Sequence, residues 1–184
     1  MHQPGVMVDI ETMGTSPRAA VLSIGACFFD LGAEPGEVVS TFAANISLES
    51  NHRAGRAIEP STVLWWLSQS KDAQNAFLAG PHEALRAALT RFNAWHQALS
   101  PVPHRVWAKD PDFDVVILRD AFHQENIVFP FKYFMSRSVR TILDLAFGDE
   151  IPAPPNPGVA HSATDDAVKQ AALVQMAYRQ LGVD

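Results

Sequence analysis

The run Val6-Met7-Val8-Asp9-Ile10-Glu11 constrains this chain more than any other stretch. It is short, rich in β-branched residues and followed by the turn signal Gly14-Thr15-Ser16-Pro17, so it predicts a buried strand. Residues two apart on a strand point to the same side, so Asp9 and Glu11 project together from its end. Like-charged carboxylates held that close repel, and their burial is costly unless a cation or a proton neutralises them. Hard divalent cations prefer oxygen ligands, and Mg²⁺ or Mn²⁺ suits such a pair. For a lone D-x-E the plainer account is two exposed acids ending a strand, so the rest of the chain must supply further ligands.

The remaining pattern predicts an α/β fold. Residues 19–30 are apolar and β-rich, with Gly25 as a bulge or a close-approach point. A turn at 31–36 leads to a third strand over 38–46, so three strands in succession form an antiparallel meander. Residues 48–59 are polar and irregular. Pro60-Ser61-Thr62 opens a helix carrying Trp65 and Trp66, and 81–99 is an amphipathic helix with Leu85, Ala88, Leu89, Phe92 and Trp95 on one stripe. A short strand over 105–109 precedes helices over 113–125 and 138–147. The segment 152–157 holds four prolines and reads as a loop or flap, and 164–181 forms a C-terminal helix. Antiparallel strands followed by alternating strands and helices imply a mixed sheet.

With 184 residues, 47% hydrophobic and 18% charged, the chain fits one soluble globular domain over 1–184. No apolar run reaches membrane-spanning length, and no basic segment with a long apolar run opens the chain, so neither a membrane nor a secretory route is expected. The single cysteine, Cys27, excludes an intramolecular disulfide, permits a reducing cytoplasm and reads as a buried structural thiol. The net charge of −6 argues against a broad basic groove. It leaves room for a nucleic-acid enzyme whose acids are offset by bound cations.

Further carboxylates are available. Phe113-Asp114 opens a helix after a strand, where the helix dipole alone favours an acid; Asp110 and Asp112 are also explained as turn and capping residues. Near the C-terminus stands His161-Ser162-Ala163-Thr164-Asp165-Asp166. Ser162 and Asp165 have capping-box spacing, which leaves Asp166 to face a cation from the first turn. His161, on the preceding loop, suits proton transfer near neutral pH.

D-I-E-T near the start, F-D opening a mid-chain helix, and a histidine five residues before an aspartate resemble the histidine-bearing branch of the DEDD (DnaQ-like) exonuclease superfamily. The fuller stretch VDIETMGTSPRAAVLSIGACFFD, followed by TVLWWLSQS, is most similar to its compact group of phage exonucleases and bacterial 3′-5′ exoribonucleases. The resemblance implies a ribonuclease H-like mixed five-stranded sheet, antiparallel in its first three strands and then parallel, flanked by helices. It further implies two Mg²⁺ or Mn²⁺ ions held by Asp9, Glu11, Asp114 and Asp166, with His161 taking a proton from water. The activity implied is 3′-5′ hydrolysis of single-stranded RNA or DNA 3′ ends to nucleoside 5′-monophosphates. Many relatives carry asparagine where this chain has Asp110, a departure that touches substrate placement more than metal binding.

Candidate substrate contacts are Thr12 and Met13, directly after the acidic pair, together with Phe113. One of Trp65 and Trp66 stacks on a base, and Trp66 is the one expected, with Gln69 on the same helical face. Arg137 and Arg140 are candidates for phosphate. A homodimer also enters, with Phe129, Phe131, Tyr133 and Phe134 as exposed interface aromatics. Two rival functions compete: a catalytically inactive nucleic-acid-binding module on the same fold, and an endonuclease of the ribonuclease H type.

Overall fold

A computed structural model describes residues 4–78, 80–155 and 161–183. Its centre is a five-stranded sheet of β1 (Pro4–Thr12), β2 (Val21–Asp30), β3 (Ser40–Asn45), β4 (Val106–Ala108) and β5 (Ser136–Ser138). The spatial order is β3-β2-β1-β4-β5. The first three strands pair antiparallel, and β4 and β5 then join parallel to β1. This is the mixed sheet that the resemblance implied.

Both faces of β1 are covered, so its alternation sorts two cores. Val6, Val8 and Ile10 pack with α4 (Leu85–Ala98) and α5 (Asp114–Gln124). Met7 packs on the opposite face with α6 (Val139–Phe147) and α7 (Ala163–Leu181). By the period of two, Asp9 and Glu11 leave the sheet on the α7 side. Ala167, Ala171 and Ala177 give α7 a thin buried stripe that lies close on the sheet.

The closest approach is at Gly25, the partner of Asp9 across β1 and β2. A Cβ there would stand 2.1 Å from the carbonyl carbon of Ala163 and 2.2 Å from the Thr164 nitrogen, so only glycine admits this helix start. Gly25 is thus a close-approach point, and the register shift of the sheet falls at Glu11/Thr12 instead. Cys27 is buried as expected, its thiol donating to the Ala167 carbonyl at 3.6 Å and pushed up to about 12 by burial.

Three segments differ from expectation. Residues 48–59 contain a helix, α1 (Leu48–Arg53), capped by the Ser47 side chain. Its anchors are polar: buried Asn51 brackets Val21, accepting from its N–H and donating to its C=O, both at 2.9 Å. Buried Arg56 donates to the Ala19 carbonyl and pairs with Asp120 on α5 at 3.0 Å. After α2 (Pro60–Ser68) comes another unforeseen helix, α3 (Lys71–Leu78). Phe131, expected on an exposed interface, is 4% exposed and packs with Phe92, Phe129 and His96, leaving Tyr133 and Phe134 as the exposed pair. Residues 151–155 carry no helix or strand, and the far end of the 152–157 segment lies outside the described residues.

Candidate active site

Four elements meet where β1 ends. Beyond Glu11 the chain turns at once, and Glu59 clamps that turn: its carboxylate accepts from the backbone N–H groups of Thr15 and Ser16, both at 3.0 Å. Asp114 arrives from the other face on the first turn of α5. It is 4% exposed, and its Oδ1 accepts from the Ile10 N–H at 3.2 Å, which fixes it between Asp9 and Glu11 in the backbone register. Asp166 comes from the first turn of α7, and its Oδ2 accepts the His161 N–H at 3.0 Å. That bond closes the loop before the helix while His161 holds a left-handed backbone, φ 62°. The Ser162 side chain makes no cap hydrogen bond, so the capping box expected there does not form; Asp166 serves the loop instead.

Asp9, Glu11, Asp114, Asp166 and His161 all line one groove of about 860 Å³, with Phe113, Lys109, Arg140, Lys169 and Gln170. Ligand atoms of Glu11, His161 and Asp166 lie within 4.8 Å of one another, and His161 Nδ1 stands 3.9 Å from Glu11 Oε1. Electrostatics mark the crowding. Burial, then repulsion from Asp9, Asp166 and Asp114, pushes Glu11 up to about 9. Burial, then Asp114 and Asp166, holds Asp9 well above the usual carboxylate range, and burial above all pushes Asp114 up to about 7. Hard oxygen donors this dense fit divalent cations, which would relieve the repulsion. Lys169 already pairs with Asp166.

The expected substrate contacts divide. Phe113 lines the groove as the N-cap of α5. Thr12 is buried, its hydroxyl donating to the Gly14 carbonyl at 2.6 Å, and half-buried Met13 packs on the small cluster of Leu22, Trp66 and Ala73. Trp66, expected to stack on a base, is 3% exposed and spends its indole N–H on the Thr12 carbonyl at 2.9 Å. Trp65 is the exposed one at 44%, edge-on to the His161 ring at 5.3 Å. Gln69 is exposed and turns back on its own helix, donating to the Trp65 carbonyl. Arg140 reaches the groove rim and donates to Asp110 at 2.6 Å, whereas Arg137 folds onto the Phe134 and Ser136 carbonyls.

Several groove residues were not expected from the sequence, and two of them contact the acids directly. Lys169 and Gln170 follow Asp166 by three and four positions, the helical spacing that puts them on its face, and that spacing was the available signal.

A family profile described as 3′-5′ exoribonuclease Rv2179c-like domain matches residues 5–178. The chain is 26% identical over 203 residues to the exodeoxyribonuclease of Enterobacteria phage T4, covering 94% of this chain and 88% of that one. Among solved structures, E. coli exonuclease I in complex with a dA16 oligonucleotide aligns with a TM-score of 0.67 at 15% identity, over 98% of this chain and 42% of that one. Exonuclease I in its apo form aligns at 0.63 and 15% identity, over 97% and 42%. The chain therefore spans about two fifths of the length of those structures, which share its fold.

Proposed function

The chain belongs to the Rv2179c-like 3′-5′ exoribonuclease domain family, within the DnaQ-like exonucleases, and is an enzyme of that kind; from this premise we propose that it trims single-stranded RNA or DNA from the 3′ end, releasing nucleoside 5′-monophosphates. The observation that carries the proposal is the gathering of Asp9, Glu11, Asp114 and Asp166 with His161 around one groove. In this reading the four carboxylates hold two Mg²⁺ or Mn²⁺ ions, as in the histidine-bearing branch. Such ions, when bound, activate water and stabilise charge on the phosphate. His161 takes the proton of the attacking water, and its backbone N–H on Asp166 and its edge-on contact with Trp65 support that placement. As water adds to phosphorus, the bond to the 3′-oxygen breaks and the terminal nucleotide departs. Trp65, exposed beside His161, offers a ring on which the last base stacks. The exposed Tyr133 and Phe134 support pairing of two copies at that end of β5, which sedimentation would read.

The test is a panel of 5′-labelled RNA and DNA, single- and double-stranded, with Mg²⁺, Mn²⁺ or chelator. Progressive shortening of single strands from the 3′ end, abolished by chelator, is expected. Internal cuts point to the endonuclease alternative, and binding without cleavage to the inactive module.

A further inference from the structure

Gln170 is hard to explain as a packing residue. It lies on α7 one turn beyond Asp166 and is 6% exposed, on a helix face otherwise lined by Ala163, Ala167, Ala171 and Val174. Its Nε2 donates to Asp9 Oδ1 at 2.7 Å, a short bond to a carboxylate that arrives from the sheet. Its Oε1 is buried and has no hydrogen-bond partner among the described residues. A buried acceptor left unsatisfied is unfavourable, and native proteins explain nearly every one by a water or an ion. A thioether of similar length would fill the same space with no such cost. The amide therefore serves the groove it lines.

Its two ends face different tasks. The N–H end occupies one oxygen of Asp9, which locks the carboxylate rotamer and leaves Oδ2 as the oxygen free to ligate. The carbonyl end can only accept, and the groove would bring it the O–H of an ordered water. Metal-ligating carboxylates are commonly held this way by partners behind them, and loss of such a partner weakens metal binding.

We propose that Gln170 is a positioning residue for the metal centre, fixing Asp9 through its amide N–H and receiving a hydrogen bond from a site water through its carbonyl. This rests on the metal-dependent reading above. The experiment measures Mn²⁺ binding by calorimetry, with no substrate present, in the parent, Gln170→Met and Gln170→Leu, alongside thermal unfolding in chelator and steady-state hydrolysis of a single-stranded oligonucleotide. Gln170→Met keeps the volume and removes both polar ends; Gln170→Leu removes them with a shorter, branched side chain and adds no charge. Both variants are expected to bind Mn²⁺ about 10- to 100-fold more weakly, with kcat reduced at saturating oligonucleotide, KM for oligonucleotide unchanged, and folding in chelator retained. Should Gln170→Met fail to fold, Gln170→Leu alone decides. Parental Mn²⁺ affinity in a folded variant overturns the role of Gln170 even if the parent is an active nuclease. Weakened Mn²⁺ binding in the variants of a parent that cleaves nothing sustains that role while the nuclease reading fails. A parent that binds no Mn²⁺ overturns both.

Discussion

Replacing Asp114 by asparagine sets stability against activity. Asp114 is buried, and burial, followed by repulsion from Asp110, outweighs the backbone N–H bonds it accepts, pushing its carboxyl from 3.8 to about 7. Below about pH 4 the group is protonated in both folded and unfolded chains. As pH rises from there to about 7, the unfolded chain gives up the proton while the folded one keeps it, so stability falls across that window; above it the full penalty applies. At 1.36 kcal/mol per pH unit the displacement corresponds to at most about 4 kcal/mol. Asparagine keeps an Oδ1 to accept the Ile10 N–H and carries no charge. The metal-free Asp114→Asn protein is therefore expected to be more stable than the parent at about pH 8, by roughly 1 to 4 kcal/mol, with the gap closing towards about pH 4. Urea unfolding in chelator across that range measures the gap. Saturating Mn²⁺ should narrow it from the other side, because a cation at about 100 times its Kd adds about 2.7 kcal/mol to whichever protein binds it. An Asp114→Asn protein no more stable than the parent at about pH 8, or a gap indifferent to pH, would refute the account of a carboxylate held against its own burial.

His161→Ala should lower hydrolysis by about 100- to 10,000-fold while Mn²⁺ binding, read by calorimetry, stays within a few-fold; unchanged turnover removes His161 as the proton acceptor. Trp65→Ala should raise KM for single-stranded oligonucleotides by an amount matching about 1–3 kcal/mol of stacking and leave thermal stability intact. Trp66→Ala should instead cost about 3–5 kcal/mol of stability, and equal unfolding midpoints for the two variants would contradict their assignment to surface and core. Lys169→Met removes the ammonium paired with Asp166, so half-saturation with Mn²⁺ should come at a concentration a few-fold lower, in line with roughly 1 kcal/mol for a partly exposed pair; a higher concentration would show that Lys169 assists the site.

Hydrophobic periodicity exposes elements whose burial is apolar, and the segments that escaped it are buried by other means. The turn after β1 is held by Asn51 and Arg56, which satisfy backbone groups of Pro17, Ala19 and Val21, so residues 48–59 read as surface although their key side chains are interior. Trp65 and Trp66 are chemically identical neighbours; the buried one, Trp66, meets the Thr12 carbonyl and packs with Leu22 and Ala73, partners on other elements. Phe131 was drawn inside by ring contacts with Phe92 and His96 from α4.

What the amino-acid order determined by itself is local: the alternation that sends Asp9 and Glu11 to one side of β1, the first-turn positions of Asp114 and Asp166, and the helical spacing that aligns Lys169 and Gln170 with Asp166. These follow from the periods of strand and helix, which act over a few residues. That the pieces meet is a matter of long-range packing. The missing Cβ of Gly25 lets the start of α7 lie on the sheet opposite Asp9, and the register of β1 against β4 delivers Asp114 to Ile10. Such meetings depend on how packed layers close over long stretches of chain, and no period in the sequence encodes that.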